Sequence, residues 1–298
     1  MQTIVAVVVT YNPSVVEIKE QLEAIISEGI SVVVIDNAST NIDELATQLL
    51  GFDSAFLTIH RNTENLGLAA GQNLGIVEAR RRHASHVMFF DQDSVPQPGF
   101  SQALLSTEDE LTRRGEKFSA IGPATYDPAT SDYYPITRYI GPFIRRHYPK
   151  GNTLVEATFL ISSGSLIRMQ VLDEVGTMRS ELFIDYIDVE WCLRARKFGY
   201  RCFVASSARM SHRIGDARIR IFGRTISAHS PLRRYYLIRN SFLMLRLEFV
   251  PVSYKLREII LNLLRVSIFF YLSKDRMNYV RLMRRAVADG VAGRYGSI

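Results

Sequence analysis

The feature that most constrains this chain is a short apolar run, VMFF at residues 87–90, that ends directly in the acids Asp91 and Asp93. A continuous apolar run of this length predicts a strand buried on both faces, as in a parallel sheet covered by helices. In such sheets ligands bind at the carboxyl ends of the strands, where these two acids emerge. Neighbouring carboxylates suit Mg2+ or Mn2+, although Asp and Ser are also common in solvated turns. A metal site and a plain loop therefore both stay open at this point.

The rest of the first half of the chain alternates apolar runs with amphipathic stretches. Short joins between predicted strands and helices are typical of a doubly wound, mainly parallel sheet flanked by helices. The predicted strands lie at 3–9, 32–35, 55–60, 86–90 and 118–122. The predicted helices lie at 14–28, 42–50, 67–82 and 100–114. The pattern therefore predicts an α/β fold.

Small residues open the helix that begins near Gly67. They permit either an anion at the helix N-terminus or close packing of the helix on the sheet, and we keep both interpretations. The segment has neither a Walker loop nor a G-x-G-x-x-G pattern, so it does not indicate an ATP or NAD cradle. Further on, residues 123–152 contain five prolines and five tyrosines. They predict either a functional loop that stacks on a sugar or base, or an extra pair of strands.

Two acids precede a predicted helix that ends at Gly199. Asp185 and Asp188 are three residues apart and can face the same side, either for function or to stabilise the helix dipole. Glu190 and Arg194 have the spacing of an ion pair, so we expect Glu190 to be structural. His212 follows a predicted strand at 200–204 and is a candidate ligand for metal or phosphate, or a structural histidine. The two cysteines, Cys192 and Cys202, predict buried thiols in a reducing compartment.

The C-terminal part of the chain differs in charge from the rest. Residues 1–208 carry 18 basic and 25 acidic side chains, whereas residues 209–298 carry 18 basic and 5 acidic ones. This asymmetry predicts an anionic partner surface. Helices are expected at 231–248 and 254–272. The second is too short and interrupted to span a bilayer, and suits either a membrane surface or a protein interface. We therefore divide the chain into a catalytic region, 1–229, and a basic amphipathic helical region, 230–298.

Five stretches, taken in order, resemble the inverting glycosyltransferases of family 2, which have the GT-A fold, and look closest to bacterial rhamnosyltransferases. They are VVTYNP at 8–13, IDNAS at 35–39, NLGLAAGQN at 65–73, FDQDS at 90–94 and FIDYIDVEWCLR at 183–194. The resemblance covers about residues 3–240. It implies a GT-A (Rossmann-like) α/β fold with a mixed, mainly parallel sheet and a C-terminal helical extension.

The resemblance also implies roles for individual residues. The cofactor it implies is Mg2+ or Mn2+, with Asp93 as the direct ligand and Asp91 and His212 beside it. The implied general base is Asp188, with Asp185 as the runner-up because Ile187 replaces the glutamate usual in the family. Asp91 is also expected to reach the donor's ribose. The other residues expected along the nucleotide-sugar are Thr10, Tyr11, Asn12, Asp36, Asn65, Gly67, Asn73 and Gln92.

The implied reaction is transfer of L-rhamnose from dTDP-β-L-rhamnose to a lipid-linked glycan, in the synthesis of bacterial O-antigen, capsule or cell-wall polysaccharide. The alternative within the family is a UDP-hexose donor. A third hypothesis, a non-catalytic basic protein that binds membrane or nucleic acid, is disfavoured by the acidic body of the chain. We expect a cytoplasmic enzyme bound to the inner face of the cell membrane, with no nucleic-acid partner. Homo-oligomer formation is left open.

Overall fold

The computed structural model describes residues 2–141, 143–213, 217–221, 224–228, 230–273 and 275–298, with backbone alone for 217–221 and 224–228. The strands are β1 Ile4–Thr10, β2 Ser31–Asp36, β3 Leu57–Arg61, β4 His86–Asp91, β5 Ser94–Pro96, β6 Phe118–Tyr126, β7 Ile136–Ile140, β8 Phe143–His147, β9 Leu154–Ala157, β10 Leu166–Arg168, β11 Arg201–His212, β12 Ala217–Ile221 and β13 Arg224–Ala228. The helices are α1 Val15–Ser27, α2 Ile42–Gln48, α3 Leu68–Arg81, α4 Phe100–Arg113, α5 Met169–Val175, α6 Ile187–Lys197, α7 Pro231–Arg246, α8 Val252–Leu272 and α9 Arg276–Ala292.

The central sheet is mixed and mainly parallel, as the sequence predicted. Its order is β3-β2-β1-β4-β10-β6-β11-β5, and β9 pairs with β11 beside this path. Strands β3, β2, β1 and β4 are mutually parallel, and β11 is parallel to β6. The short strands β10, β5 and β9 run antiparallel to their neighbours. The α/β fold class is thereby confirmed.

The register of the sheet brings three candidate residues to one edge. Thr10 of β1 pairs with Asp36 of β2, and Val9 of β1 pairs with Asp91 of β4. On the far side of the sheet, β11 pairs with β5 so that His212 lies opposite Ser94. The carboxyl ends of the strands therefore meet where the sequence predicted a ligand site.

Helices cover both faces of the sheet and form two buried cores. Val5, Val7 and Val9 of β1 pack with α3, α5 and α6, whereas Ala6 and Val8 pack with α1 and α4. Helix α3 lies unusually close to β1, because a Cβ added at Gly71 would be 2.7 Å from Val9 Cγ1. Close packing, one of the two interpretations of these small residues, therefore applies to Gly71.

Several elements differ from the sequence prediction. Residues 136–147, inside the proline- and tyrosine-rich segment, form the antiparallel pair β7–β8, which was one of its two interpretations. Strand β11 is longer than predicted and reaches His212, with an irregularity between Ala205 and Arg209 that lets it continue. Helices α5 and α9 were not predicted.

The C-terminal helices pack on the catalytic region. Aromatic residues of α7, α8 and α9, among them Tyr236, Phe269 and Tyr279, form a third core that Phe183 and Ile184 contact. The expected boundary between regions falls at residue 229, which lies outside the described residues. Among the described helices, none has the length and apolar character needed to cross a bilayer.

Candidate active site

Two carboxylates and one imidazole converge at the carboxyl edge of the sheet. Asp91, Asp93 and His212 each offer a ligand atom, and these atoms lie within 4.8 Å of one another. His212 Nδ1 is 3.1 Å from Asp93 Oδ1, and His212 Nε2 is 3.8 Å from Asp91 Oδ2. Carboxylate oxygens with one imidazole suit Mn2+ or Mg2+, so the residues present fit the cation that the sequence predicted.

The three groups alter one another's protonation. Burial raises the pKa of the Asp91 carboxyl, and the His212 charge offsets this only in part. Burial also tends to lower the pKa of His212, but the hydrogen bond with Asp93 and the charges of both acids outweigh it and raise that pKa. His212 therefore keeps its proton to higher pH than a solvated histidine, and a cation that binds to its ring must displace this proton.

A chain of hydroxyl groups orients this cluster. The Ser163 hydroxyl accepts a hydrogen bond from the Asp91 backbone N–H at 3.0 Å and donates one to Ser94 Oγ at 2.7 Å. Ser94 Oγ lies 2.8 Å from His212 Nδ1 and so helps to fix the imidazole. Partners of this kind hold ligands in place at metal centres. The sequence analysis did not identify Ser94 or Ser163. Ser94 directly follows Asp93, but nothing local marks Ser163.

Two glutamines shape the loop between Asp91 and Ser94. The Gln21 side-chain amide of α1 donates hydrogen bonds to the carbonyl oxygens of both Asp91 and Ser94. The Gln92 side chain accepts a hydrogen bond from the Tyr11 N–H at 2.8 Å. Gln92 thus ties the acidic loop to the end of β1, and its predicted contact with a nucleotide-sugar stays a prediction.

Asp36 lies beneath the surface at the same edge. It is 1% exposed, and its carboxylate accepts hydrogen bonds from the Thr10 hydroxyl and from the N–H and hydroxyl of Ser39. Asn12 accepts hydrogen bonds from the Thr40 N–H and hydroxyl. These bonds fix the loops after β1 and β2. Direct contact of Asp36 with a base or ribose would compete with them, so that role remains a prediction.

The start of α3 holds another loop instead of an open anion site. The Phe183 carbonyl accepts hydrogen bonds from the Leu68 N–H at 2.7 Å and from the Ala69 N–H at 3.4 Å. A Cβ at Gly67 would lie 2.6 Å from that carbonyl oxygen, so only glycine fits. Asn65 accepts a hydrogen bond from the Gly67 N–H. The first amides of α3 therefore secure the segment that leads to Asp188.

Asn73 also helps to fix the segment that leads to Asp188. Its amide donates to the Met178 carbonyl at 2.8 Å and accepts from the Met178 N–H at 2.9 Å. These two bonds fix the orientation of the Asn73 amide toward the Met178 backbone. The predicted binding roles of Asn65, Gly67 and Asn73 are thus left as predictions.

The loop that carries the candidate bases has an unusual backbone. Phe183, Asp185 and Tyr186 all have positive φ angles, between 64° and 65°. Such conformations cost free energy in non-glycine residues and persist only where the surroundings impose them. Here the Asn240 amide of α7 donates hydrogen bonds to the carbonyl oxygens of Leu182, Ile184 and Asp185. The C-terminal region therefore helps to hold the loop in its strained form.

The two candidate bases have different environments. The Arg233 guanidinium donates two hydrogen bonds of 3.3 Å to Asp185 Oδ1. Asp188, in the first turn of α6, accepts a hydrogen bond from the Val189 N–H, and no salt bridge joins it to another described residue. Burial, with the charges of Asp91 and Asp185, raises the pKa of Asp188 to about 6. A carboxyl with this pKa is suited to accept a proton near neutral pH.

Other sequence predictions near this helix have clear outcomes. Glu190 is fully buried and pairs with Arg194 at 3.0 Å and Arg179 at 3.3 Å, which confirms its structural role. Cys192 and Cys202 are buried free thiols, as expected. The sequence analysis missed Arg233, whose charge acts on both Asp91 and His212 as well as pairing with Asp185. Its position 45 or more residues from Asp185 and Asp188 in the chain gave no local signal.

Sequence comparison relates this chain to known proteins. Residues 5–176 match the profile described as Glycosyl transferase family 2. The dTDP-rhamnosyl transferase RfbF of Shigella flexneri is 35% identical over 292 residues, which cover 97% of this chain and 96% of RfbF. An uncharacterised protein of Mycobacterium tuberculosis is 31% identical over 182 residues, 58% of this chain and 60% of that protein.

Solved structures share the fold at low sequence identity. The structure of S. aureus TarS 1–349 with UDP-GlcNAc has a TM-score of 0.59 and 17% identity, and the match covers 97% of this chain and 81% of that one. The structure of GalNAc-T7 with UDP, GalNAc and Mn2+ has a TM-score of 0.59 and 12% identity. That match covers 81% of this chain and 51% of the other.

Proposed function

The chain belongs to glycosyl transferase family 2, and from that premise we propose that it is an inverting, metal-dependent rhamnosyltransferase. Its donor is dTDP-β-L-rhamnose and its acceptor is a lipid-linked glycan of bacterial surface-polysaccharide synthesis. The choice of donor is supported by the similarity to the dTDP-rhamnosyl transferase RfbF, which extends over nearly the whole of both chains.

One observation carries the proposed chemistry. The ligand set of Asp91, Asp93 and His212 lies close enough to Asp188 for the Asp91 charge to raise the Asp188 pKa. Transfer from a nucleotide-sugar needs a cation for the leaving diphosphate and a base for the acceptor hydroxyl, and the two candidates are neighbours here. Asp93, Asp91 and His212 would hold Mg2+ or Mn2+, which offsets the charge that grows on the departing diphosphate.

Asp188 is the general base of the proposed reaction. Its carboxylate accepts the proton of the acceptor hydroxyl while the acceptor oxygen forms a bond to C1 of the sugar and the bond from C1 to the diphosphate oxygen breaks. Direct displacement inverts the anomeric centre, so a β-linked donor gives an α-linked L-rhamnoside and dTDP. Asp185 is the weaker candidate because its carboxylate already pairs with Arg233.

The donor lies, in this proposal, between the carboxyl edge of the sheet and the start of α3. Tyr11, half exposed beside Gln92, and Asn12 border the nucleotide. Thr10 and Asp36 lie beneath the nucleotide, and their hydrogen bond fixes the loops after β1 and β2. Arg233 offers a further positive charge to the diphosphate, because it is close enough to Asp91 and His212 to influence the pKa of both groups.

We also propose that the enzyme is cytoplasmic and bound to the inner membrane surface through its C-terminal helices. The outer face of α8 exposes a continuous apolar stripe, with Ile260 60% and Leu263 67% exposed. Residues 252–298 contain nine Lys and Arg against three Asp and Glu. Exposed apolar residues with basic neighbours are typical of helices that lie in an anionic bilayer interface.

The experiment that tests the function measures dTDP release. The purified protein is incubated with dTDP-β-L-rhamnose, Mn2+ or Mg2+ and a panel of lipid-linked glycans, with and without EDTA. We expect acceptor-dependent release that EDTA abolishes. Stabilisation of the protein against heat by dTDP but not UDP distinguishes this donor from a UDP-hexose. Absence of release with every acceptor, or preference for UDP, contradicts the proposed reaction.

A further inference from the structure

Two hydrogen-bond donors on α8 have no acceptor among the described residues. They are the Tyr254 hydroxyl and the Arg257 guanidinium. Tyr254 is 5% exposed, and neither group has a hydrogen bond to any residue that the structure describes. The Nη1 atom of Arg257 is also closed off from solvent. A buried donor of this kind is costly unless an acceptor arrives, so Arg257 indicates a missing ligand. Tyr254, which packs on the same Tyr139 ring, offers a second donor.

Arg257 differs from two other arginines that are largely buried. Arg239 donates to the carbonyl oxygens of Leu182 and Gly296 and to Asn240, and Arg194 pairs with Glu190. Arg257, in contrast, lies over the Tyr139 ring at 4.7 Å, without a carboxylate partner among the described residues. Burial lowers the pKa of its guanidinium, and the Glu258 charge offsets this only in part. The positive charge of Arg257 is thus poorly compensated.

An aromatic group forms the floor beneath these donors. Tyr254 packs edge-on against Tyr139 with ring centroids 5.6 Å apart, and Tyr139 packs against Phe159 at 5.8 Å. Burial raises the pKa of the Tyr254 hydroxyl, which therefore keeps its proton and remains a donor. The surroundings supply two donors and apolar surface, which suits an anion with several acceptor oxygens.

The pair lies close to the loop that leads into α6 and carries Asp188. Tyr254 and Glu258 are four residues apart and face the same way along α8. Glu258 accepts a hydrogen bond from Tyr186, the residue that precedes α6, and the Asp188 charge acts on Tyr254. The inner face of α8 therefore forms a wall beside Asp188, while its outer face carries the apolar stripe of Ile260 and Leu263.

We propose that Tyr254 and Arg257 bind a phosphate group of the acceptor lipid. This inference rests on the proposed function, because it identifies the charged part of the acceptor for the same site. A guanidinium fork matches phosphate oxygens, and the phenol adds a third donor. An acceptor held in the membrane by its lipid presents its phosphate at the depth of α8 and its glycan hydroxyl to Asp188.

The binding test uses the full chain in neutral detergent micelles with EDTA and no donor, and farnesyl diphosphate as the probe. The variants Arg257→Ala, Arg257→Lys and Tyr254→Phe are compared with Arg281→Ala, which removes an exposed arginine of α9. We expect Arg257→Ala to weaken binding about tenfold, Arg257→Lys and Tyr254→Phe by less, and Arg281→Ala hardly at all. Thermal unfolding checks that each variant is folded.

A second arm replaces farnesyl diphosphate by phosphatidylglycerol in the same micelles. An equal effect of Arg257→Ala and Arg281→Ala on this lipid, with a selective loss for farnesyl diphosphate, supports the acceptor site. Unchanged farnesyl diphosphate affinity in Arg257→Ala overturns it, as does a selective loss for phosphatidylglycerol, which would assign the pair to a membrane headgroup. Because the assay contains no nucleotide-sugar, its result is independent of whether dTDP-rhamnose is the donor.

Discussion

The Tyr186 hydroxyl donates a hydrogen bond to the Glu258 carboxylate, which joins the start of α6 to the middle of α8. Arg265, two turns further along α8, contacts Glu258 at 3.3 Å. The three side chains form a group that ties the strained loop, through Tyr186, to α8. The geometry around Asp188 therefore depends on a helix that lies outside the family match at residues 5–176.

The first prediction tests this dependence. Glu258→Gln keeps the size of the side chain but removes the charge that faces Arg265, so we expect the loop to lose its fixed position. Turnover should fall about tenfold or more, because small displacements of a base are costly to catalysis. The free energy of unfolding should fall by roughly 1 kcal/mol, because Arg265 loses its charged partner but is 33% exposed and therefore partly screened by solvent. Glu248→Gln, at an exposed carboxylate, is the matched control and should change neither quantity.

The second prediction concerns the base. Asp188→Asn should reduce transfer by about 10²–10⁴-fold while dTDP still binds, since only proton acceptance is lost. In the unmodified enzyme kcat/KM should rise with pH through about 6 and then level off, because Asp188 must be ionised to act. Steady-state kinetics between pH 5 and 8 measure both effects. Should Asp185→Asn prove more damaging than Asp188→Asn, the base assignment is reversed.

The third prediction follows from the same pKa. Folding raises the pKa of Asp188 from 3.8 to about 6. Ionisation of this carboxyl therefore destabilises the folded protein once the pH exceeds both values. Asp188→Asn should therefore stabilise the protein above pH 6, by roughly 2 kcal/mol, and give no gain near pH 4. Denaturant unfolding at the two pH values checks the sign. A gain that is constant with pH would show that burial of the charge is not its origin.

The fourth prediction concerns the cation. Asp93→Asn should weaken Mn2+ binding by at least about tenfold, because the site loses a charged oxygen ligand. Binding should tighten as the pH rises through the raised pKa of His212, whose proton competes with the metal. Calorimetric titration of Mn2+ in the presence of dTDP measures both. Asp109→Asn, an exposed acid on α4, should behave as the unmodified protein does.

The fifth prediction concerns the apolar stripe of α8. Replacing Ile260 and Leu263 together by serine should reduce binding to phosphatidylglycerol vesicles about tenfold or more, because each loses exposed apolar surface that would enter the bilayer. Vesicle flotation measures the bound fraction. Val16→Ser on α1, at a valine that is 78% exposed, removes a similar group elsewhere and should have no effect. Equal loss in both proteins would argue against α8 as the contact.

The sheet and its acidic edge were predictable because their signals are local. The run before Asp91 is apolar at successive positions, and a strand buried on both faces requires that pattern. Gly67 was also noticed in the sequence, as one of the small residues that open α3. In the structure a loop, and not an anion, lies against it. The sequence marks it as a place of close approach, but the partner that approaches, Phe183, lies more than a hundred residues away.

The parts of the site that could not be predicted depend on pairs distant in sequence. Ser163 contacts Ser94, Arg233 contacts Asp185, and Tyr186 contacts Glu258. No periodicity or spacing in the sequence indicates that these residues contact one another. The β7–β8 pair was predicted only as one of two alternatives, since prolines near its ends obscure the alternation of a strand.

The hydrogen bonds that Asn240 donates to the carbonyl oxygens of Leu182, Ile184 and Asp185 have an evolutionary consequence. A C-terminal region that only carried the enzyme to its substrate would be exchangeable between relatives, like an adaptor. Here the Asn240 amide, together with Arg233 and Arg239, holds the loop before α6, so an exchange at residue 230 would also replace part of the support of that loop. Residues 1–229 and 230–298 are consequently expected to have diversified together, as one inherited unit.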